Sequence, residues 1–147
     1  MFGSVLVVCI GNICRSPTGE RALAARLPGL RIGSAGPGAL VGFPADDDTA
    51  AAAAAAGLSL DGHSARQFTA ALGGDYDLIL AMEPRHRSEI MRIAPHLSGR
   101  TMLFDQWTGA QGIADPYRRP AAAHQAAVEA ILKGADAWAA RLSPKAS

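Results

Sequence analysis

A cysteine and an arginine frame five residues near the start of the chain. Cys9 is followed by Ile10, Gly11, Asn12, Ile13 and Cys14, then by Arg15, with Ser16-Pro17 just beyond. Gly11 and Asn12 tolerate backbone angles that most residues avoid, and Ser16 and Pro17 suit a helix cap and first helical turn. A loop wound between a strand and a helix N-terminus turns successive N–H groups inward at the positive end of the helix dipole. That makes a cradle for a tetrahedral anion. The same surroundings would activate Cys9. A free thiol titrates near ~8.5, and thiols at helix N-termini beside cations fall to roughly 3.5–7.5. Three units of depression take about 4 kcal/mol, within reach of a helix terminus, several amides and Arg15 acting together. The expectation is a thiolate lying under a bound oxyanion. Cys14, inside the same loop, suggests redox protection, in which an oxidised Cys9 is captured as a Cys9–Cys14 disulfide; a small packing residue is the other reading.

Such a loop needs a strand before it and a helix after it, and the pattern supplies both. Ser4 to Cys9 is a short β-branched run, apolar on both faces as a central parallel strand requires. A helix from Ser16 or Pro17 carries Gly19, Leu23 and Leu27 on one face and stops at Pro28-Gly29. Leu30 to Ser34 reads as a second strand, Asp46 to Gly57 as an acid-started alanine helix, and Asp77 to Met82 as a third strand. After Pro84, Ile90, Ile93, Ala94 and Leu97 fall on one helical face, and Arg85, His86 and Arg87 read as solvated. Thr101 to Phe104 is the fourth strand; Asp115-Pro116-Tyr117 sits in the loop before a last helix with Val128, Ile131, Leu132, Ala135, Trp138 or Ala139, and Leu142 inward. Alternation of this kind predicts an α/β three-layer sandwich, a four-stranded parallel sheet with helices on both faces. Ligands in such sheets bind beyond the carboxyl ends of the strands, which returns attention to the loop after the first.

Composition narrows the partners. One domain over 1–147 fits the length. Fourteen Lys and Arg stand against thirteen Asp and Glu, so no global field draws the chain to nucleic acid or an acidic membrane. Twelve of those cations are arginine, which fits either a coding bias or anion binding. The apolar run Val5 to Ile10 is too short for a signal peptide or membrane insertion. Two cysteines make no disulfide framework, and four scattered histidines form no metal-ligand grouping, Asp46-Asp47-Asp48 notwithstanding. A cytoplasmic, metal-free protein without cofactor is expected.

Val8 to Pro17, read as a whole, resembles the signature of the low-molecular-weight protein tyrosine phosphatases, and Asp115-Pro116-Tyr117 resembles that family's acid loop in sequence and position. The likeness spans essentially the whole chain. Met1 to Ala45 and His63 to Tyr117 look especially like bacterial members linked to exopolysaccharide and capsule assembly, which pair with an autophosphorylating tyrosine kinase. The resemblance implies attack by Cys9 on phosphotyrosine to form a phosphocysteine, a two-pronged phosphate clamp by Arg15, and Asp115 as general acid and then base. It implies substrate contacts from Ile10, Gly11, Asn12, Ile13, Cys14, Ser16 and Tyr117, and a monomer acting on a phosphotyrosine protein, an autophosphorylated bacterial kinase. Ser16 can also donate a hydrogen bond to the Cys9 sulfur, and Asn12 can tie the loop together. The family pattern adds Ser34 and His63 as supports.

The mouth departs from animal members, which carry an aromatic residue on the loop after the second strand. Here that stretch reads Gly38-Ala39-Leu40-Val41-Gly42, so Leu40 faces Tyr117 as an aliphatic partner. Arg118 and Arg119 would favour acidic or multiply phosphorylated tails. Two rival functions use the same parts: arsenate reduction, whose thioredoxin-coupled form lacks a relay cysteine after Cys14 while a glutathione-coupled form stays open, and a phosphocysteine carrier or binding module, against which Arg15 and Asp115 argue.

Overall fold

The computed structural model describes residues 2–143. Its element order is β1 (Ser4–Val8), α1 (Arg15–Arg26), β2 (Arg31–Ala35), α2 (Asp47–Ala55), α3 (Ala70–Gly74), β3 (Leu78–Ala81), α4 (Pro84–Ile93), a 3₁₀ helix (Pro95–Arg100), β4 (Thr101–Leu103) and α5 (Ala121–Leu142). The four strands are parallel in the order β2-β1-β3-β4. The chain leaves β1 for one neighbour and later returns on its other side, so the carboxyl end of β1 is the point where the winding reverses.

Side chains alternate across β1 because a strand repeats every two residues. Val5 and Val7 pack with Leu23, Leu80, Phe104, Ile131 and Trp138, the layer of α1 and α5. Leu6 and Val8 pack with Phe68, Ile79, Ile90 and Leu97, the layer of α3 and α4. Both faces of β1 are thus dry, and each such buried aliphatic or aromatic side chain contributes about 1.5–3 kcal/mol. Helix α1 lies close on the sheet at Gly19, where a β-carbon would stand 2.8 Å from Met82 and 2.9 Å from Phe104. Helix α2 closes the flank through Ala53 against Val128 and Leu60.

The structure departs from the sequence pattern at three places. Helix α1 begins at Arg15 with Cys14 at the N-cap position and no side-chain cap, so Ser16 does not cap it. Residues 70–74 form a helix too short and glycine-rich to announce itself, fixed by Thr69, whose side chain accepts from the Leu72 N–H. Helix α4 ends at Ile93 because Pro95 pushes Ala94 out of helical geometry, to φ −140° and ψ 75°. Ala94 and Leu97 still reach the core, as the spacing predicts, but from the turn and the 3₁₀ helix.

Candidate active site

The segment from Cys9 to Arg15 wraps the end of β1 and is held from behind. Asn12 adopts φ +56°, a conformation that asparagine tolerates. Its buried side chain donates from Nδ2 to Ser16 Oγ at 2.8 Å and accepts the Arg66 N–H on Oδ1 at 2.9 Å. His63 Nε2 donates to the Asn12 carbonyl at 2.5 Å. Since Ser16 Oγ already accepts from Asn12, its own proton is free for the Cys9 Sγ, 3.0 Å away. The Ser16 backbone N–H adds a second donor to that sulfur at 3.4 Å. A hydrogen-bond chain therefore runs from Asn12 through Ser16 to Cys9.

Arg15 is 2% exposed yet only half engaged. Its Nη1 donates to the Ile113 carbonyl at 2.7 Å and to the Glu83 carboxylate. Nη2 stands 3.6 Å from Asp115 Oδ2, and the buried Nε has no partner. The guanidinium is thus anchored through one amino group while its Nε–Nη2 edge is left open. That edge has the planar, two-pronged geometry that fits an oxyanion.

Glu83 is a site residue that sequence reasoning missed. It follows β3 on the same rim, so the rule that ligands gather beyond strand carboxyl ends could have found it. Burial works against its charge, but hydrogen bonds from Arg15 and Arg85 outweigh this and hold its carboxyl below the ordinary range. His86 corrects the expectation of a solvated segment: it is wholly buried, with Nε2 3.4 Å from Glu83 Oε2. Burial, reinforced by the charge on Arg15, lowers its pKa to about 4. Arg85 and Arg87 are exposed as expected, Arg87 donating from Nε to the Thr101 carbonyl at 3.1 Å.

The loop that carries Asp115 is tied to the same strand ends. Asp105, just past β4, accepts the Gln111 and Gly112 N–H groups at 3.1 and 3.0 Å, and the Ile113 N–H reaches the Met82 carbonyl at 2.8 Å. Asp115 follows, half exposed, with Oδ1 accepting the Tyr117 N–H at 3.0 Å. Arg118, at φ +60°, lays its guanidinium 5.2 Å from the centre of the Tyr117 ring. On the opposite lip, Gly38 and Leu40 donate their N–H groups to the carbonyls of Ile10 and Gly11 at 3.0 and 3.1 Å.

These parts enclose a cavity of about 210 Å³. Cys9, Ile13, Cys14 and Arg15 line it together with Ile10, Gly11, Gly38, Leu40, Asp115 and Tyr117. Two sequence expectations change. Asn12 and Ser16, expected at the substrate, lie behind the loop and outside the cavity wall, and they act on it through hydrogen bonds. Ser34 does not join the loop through its hydroxyl, which donates instead to Glu20 at 2.7 Å; only its carbonyl is connected, through Arg66. Cys14 packs against Ile13 and Ala65 while lining the cavity, and burial pushes its thiol up to about 12. Asp46, Asp48 and His124 bring ligand-capable atoms within 4.8 Å of one another. Asp46 is occupied with the Thr49 N–H and His124 with the Thr49 hydroxyl, and none of the three lines the cavity.

Comparison with known proteins points to one family. Residues 4–147 match the family described as low molecular weight phosphotyrosine protein phosphatase. The low molecular weight protein-tyrosine-phosphatase Etp of Escherichia coli K12 is 49% identical over 142 residues, 97% of this chain and 96% of its own length. The crystal structure of the tyrosine phosphatase Wzb from Escherichia coli K30 in complex with sulphate aligns with a TM-score of 0.96 at 46% identity, covering 97% of this chain and 100% of that one. Vibrio vulnificus Wzb in complex with benzylphosphonate aligns with a TM-score of 0.94 at 45% identity, over 97% and 100% of the two chains.

Proposed function

Because this chain belongs to the low molecular weight phosphotyrosine protein phosphatases, and is an enzyme of that class, we propose that Cys9, Arg15 and Asp115 carry its reaction. Cys9 Sγ attacks phosphorus in line. The bond from phosphorus to the tyrosyl oxygen breaks, and Asp115 gives that oxygen its proton. A phenol has a pKa near ~10, so protonating it as it leaves contributes roughly 10²–10⁴-fold. Arg15 clamps the equatorial oxygens through Nε and Nη2, joined by loop N–H groups and the N-terminus of α1. In the second half, water attacks phosphorus, Asp115 takes the water proton, and the S–P bond breaks to return the thiolate. The Ser16 hydroxyl at 3.0 Å eases that departure.

The observation that carries this assignment is the half-engaged arginine: a buried guanidinium fixed on one side, with an unpartnered Nε beside a cysteine and a carboxylate in one cavity. A buried donor without an acceptor calls for one that the protein lacks. The Wzb structures from the two bacteria hold sulphate and benzylphosphonate, a bare tetrahedral anion and one carried by an aromatic group. The apolar walls Ile10, Ile13, Leu40 and Tyr117 suit such a ring here. The substrate we infer is a phosphotyrosine protein, an autophosphorylated bacterial tyrosine kinase of polysaccharide synthesis or export, met in the cytoplasm by a monomer without cofactor. None of the described helices is long and apolar enough to cross a membrane.

Hydrolysis of an aryl phosphate in chelator, inhibited by vanadate, tests the reading. Cys9→Ser should abolish turnover, and Asp115→Asn should slow poor leaving groups far more than activated ones. Arsenate-dependent thiol consumption without phosphatase activity would instead support a reductase, and stable phosphocysteine without turnover a carrier.

A further inference from the structure

Two hollows meet at the mouth of the site. The catalytic cavity and an open hollow of about 360 Å³ share Ile10 and Gly38 as a common ridge, and Pro37, Arg85 and Glu89 complete the second. The ridge is fixed: the Gly38 N–H holds the Ile10 carbonyl at 3.0 Å, and a β-carbon at Gly38 would come within 3.3 Å of the Ile10 side chain. A substrate whose phosphotyrosine fills the cavity crosses this ridge within one or two residues, since an extended backbone advances roughly 3.3 Å per residue.

Charge lies on the far side. Arg85 is 65% exposed and gives Nη2 to Glu83 Oε2 at 3.1 Å. That same oxygen already takes Arg15. One carboxylate thus serves two guanidiniums, and most of Arg85 faces water. Glu89, the acid in the hollow's wall, is matched by Arg92, which contacts both of its oxygens. The hollow therefore presents an incompletely paired guanidinium over the apolar surface of Ile10 and Pro37.

We propose that this hollow is a subsite for an anionic side chain, carboxylate or phosphoryl, one or two residues from the phosphotyrosine of the substrate. The proposal rests on the phosphatase reading and deepens it by assigning sequence preference to Arg85. A bare aryl phosphate does not reach the hollow; a peptide does.

The test compares a peptide with one phosphotyrosine among alanines, the same peptide with Glu two residues before or after it, and the same with a second phosphotyrosine there. The readout is the ratio of kcat/KM on the anionic peptide to that on the alanine peptide within each variant, so a change in the chemistry itself cancels. In the parent, Glu on one side should raise the ratio about threefold to fivefold, the scale of an exposed ion pair. A phosphoryl group that Arg85 grips with two N–H groups should raise it about tenfold. Arg85→Gln should bring both ratios to near one, and Arg85→Lys should keep most of the Glu ratio. A response to Glu alone assigns the subsite to carboxylates, and a response to the second phosphotyrosine alone assigns it to phosphoryl groups. A parent ratio near one on both sides overturns the proposal. So does a preference that survives Arg85→Gln and falls only when Arg118 and Arg119 become Glu. A parent that hydrolyses none of the peptides overturns the phosphatase reading along with it.

Discussion

The two halves of the catalytic cavity are built on opposite principles. The half formed by Cys9, Arg15, the residues behind them and the end of β3 is buried and polar, with Asn12, Ser16, Arg15 and His86 nearly or wholly shielded from water. Its side chains hold one another. The half formed by Ile10, Leu40 and Tyr117 is apolar and open, each residue a little over one-third exposed, and its loops are held by backbone hydrogen bonds. A buried polar web has few alternative arrangements, because any partner lost leaves a charge or donor uncompensated. An exposed rim set by backbone contacts can change its side chains freely. The first half is therefore where chemistry should be vulnerable, and the second where selectivity should vary.

Glu83→Gln should have the largest effect. The change preserves shape but removes the carboxylate that fixes Arg15, leaving a guanidinium that is 2% exposed with only the more distant Asp115 as a charge partner. Breaking one side of such a pair costs about 3–5 kcal/mol. If half of that falls on the transition state, kcat on an aryl phosphate drops roughly 10- to 70-fold. Glu83→Asp should recover part of it. A variant with unchanged kcat and a raised KM would place Glu83 with the rim and break the division drawn here.

The next effect is on stability. His86 is held neutral by burial, with its pKa lowered to about 4 from 6.5. In the unfolded chain it gains a proton as pH falls through 6.5, while the folded protein resists until about 4. The unfolded state therefore binds more protons in that window, and stability contributed by this group is present above pH 6.5 and lost on the way down. Between pH 6.5 and 5 the loss is about 2 kcal/mol. Glu83 acts in the same direction, since its carboxyl is also lowered, but only below its ordinary value of 4.5, so work above pH 5 separates the two. Urea denaturation should show this slope in the parent and lose it in His86→Phe. Neither ring nitrogen has a hydrogen-bond partner, so Phe leaves none unpaired. An equal slope in both proteins would mean that His86 is not kept neutral by the fold.

The division also explains what could be read from the chain before its fold. Cys9 to Ser16 is continuous, so one loop's residue types pointed together to the proposed nucleophile, the proposed clamp and an anion cradle. The sheet was equally legible, because Val5 to Val8 is apolar on both faces and can only be central. Glu83 was not, since it meets Arg15 across 68 positions of sequence. His86 gave a signal that charge obscured: it stands four residues before Ile90 and seven before Ile93, on the face that those residues turn inward, and its flanking arginines made the segment look wet. Ser34 shows the converse. Its position at the end of β2 is right for a support, yet Glu20 on α1 lies within 2.7 Å and takes its hydroxyl.

The smallest effect belongs to the rim, and there Leu40→Trp is the sharpest probe. Leu40 lines the cavity on the lip opposite Asp115 and Tyr117, and its side chain is 38% exposed, so a larger side chain has open space to extend into. The Leu40 N–H to Gly11 carbonyl bond does not depend on the side chain, and the loop should keep its course. An indole there would give a phosphotyrosine ring a second aromatic face besides Tyr117, and such pairs contribute about 0.5–1.5 kcal/mol. KM for aryl phosphates should fall roughly twofold to tenfold with kcat nearly unchanged, and the order of preference among aromatic inhibitors should shift. Alkyl phosphates, which have no ring to stack, should be indifferent to the change. A fall in kcat of the size expected for Glu83→Gln would mean that this lip shapes the phosphate site itself. An aryl KM that does not move would remove Leu40 from the binding surface, leaving Tyr117 as the one aromatic wall among the residues that line this cavity.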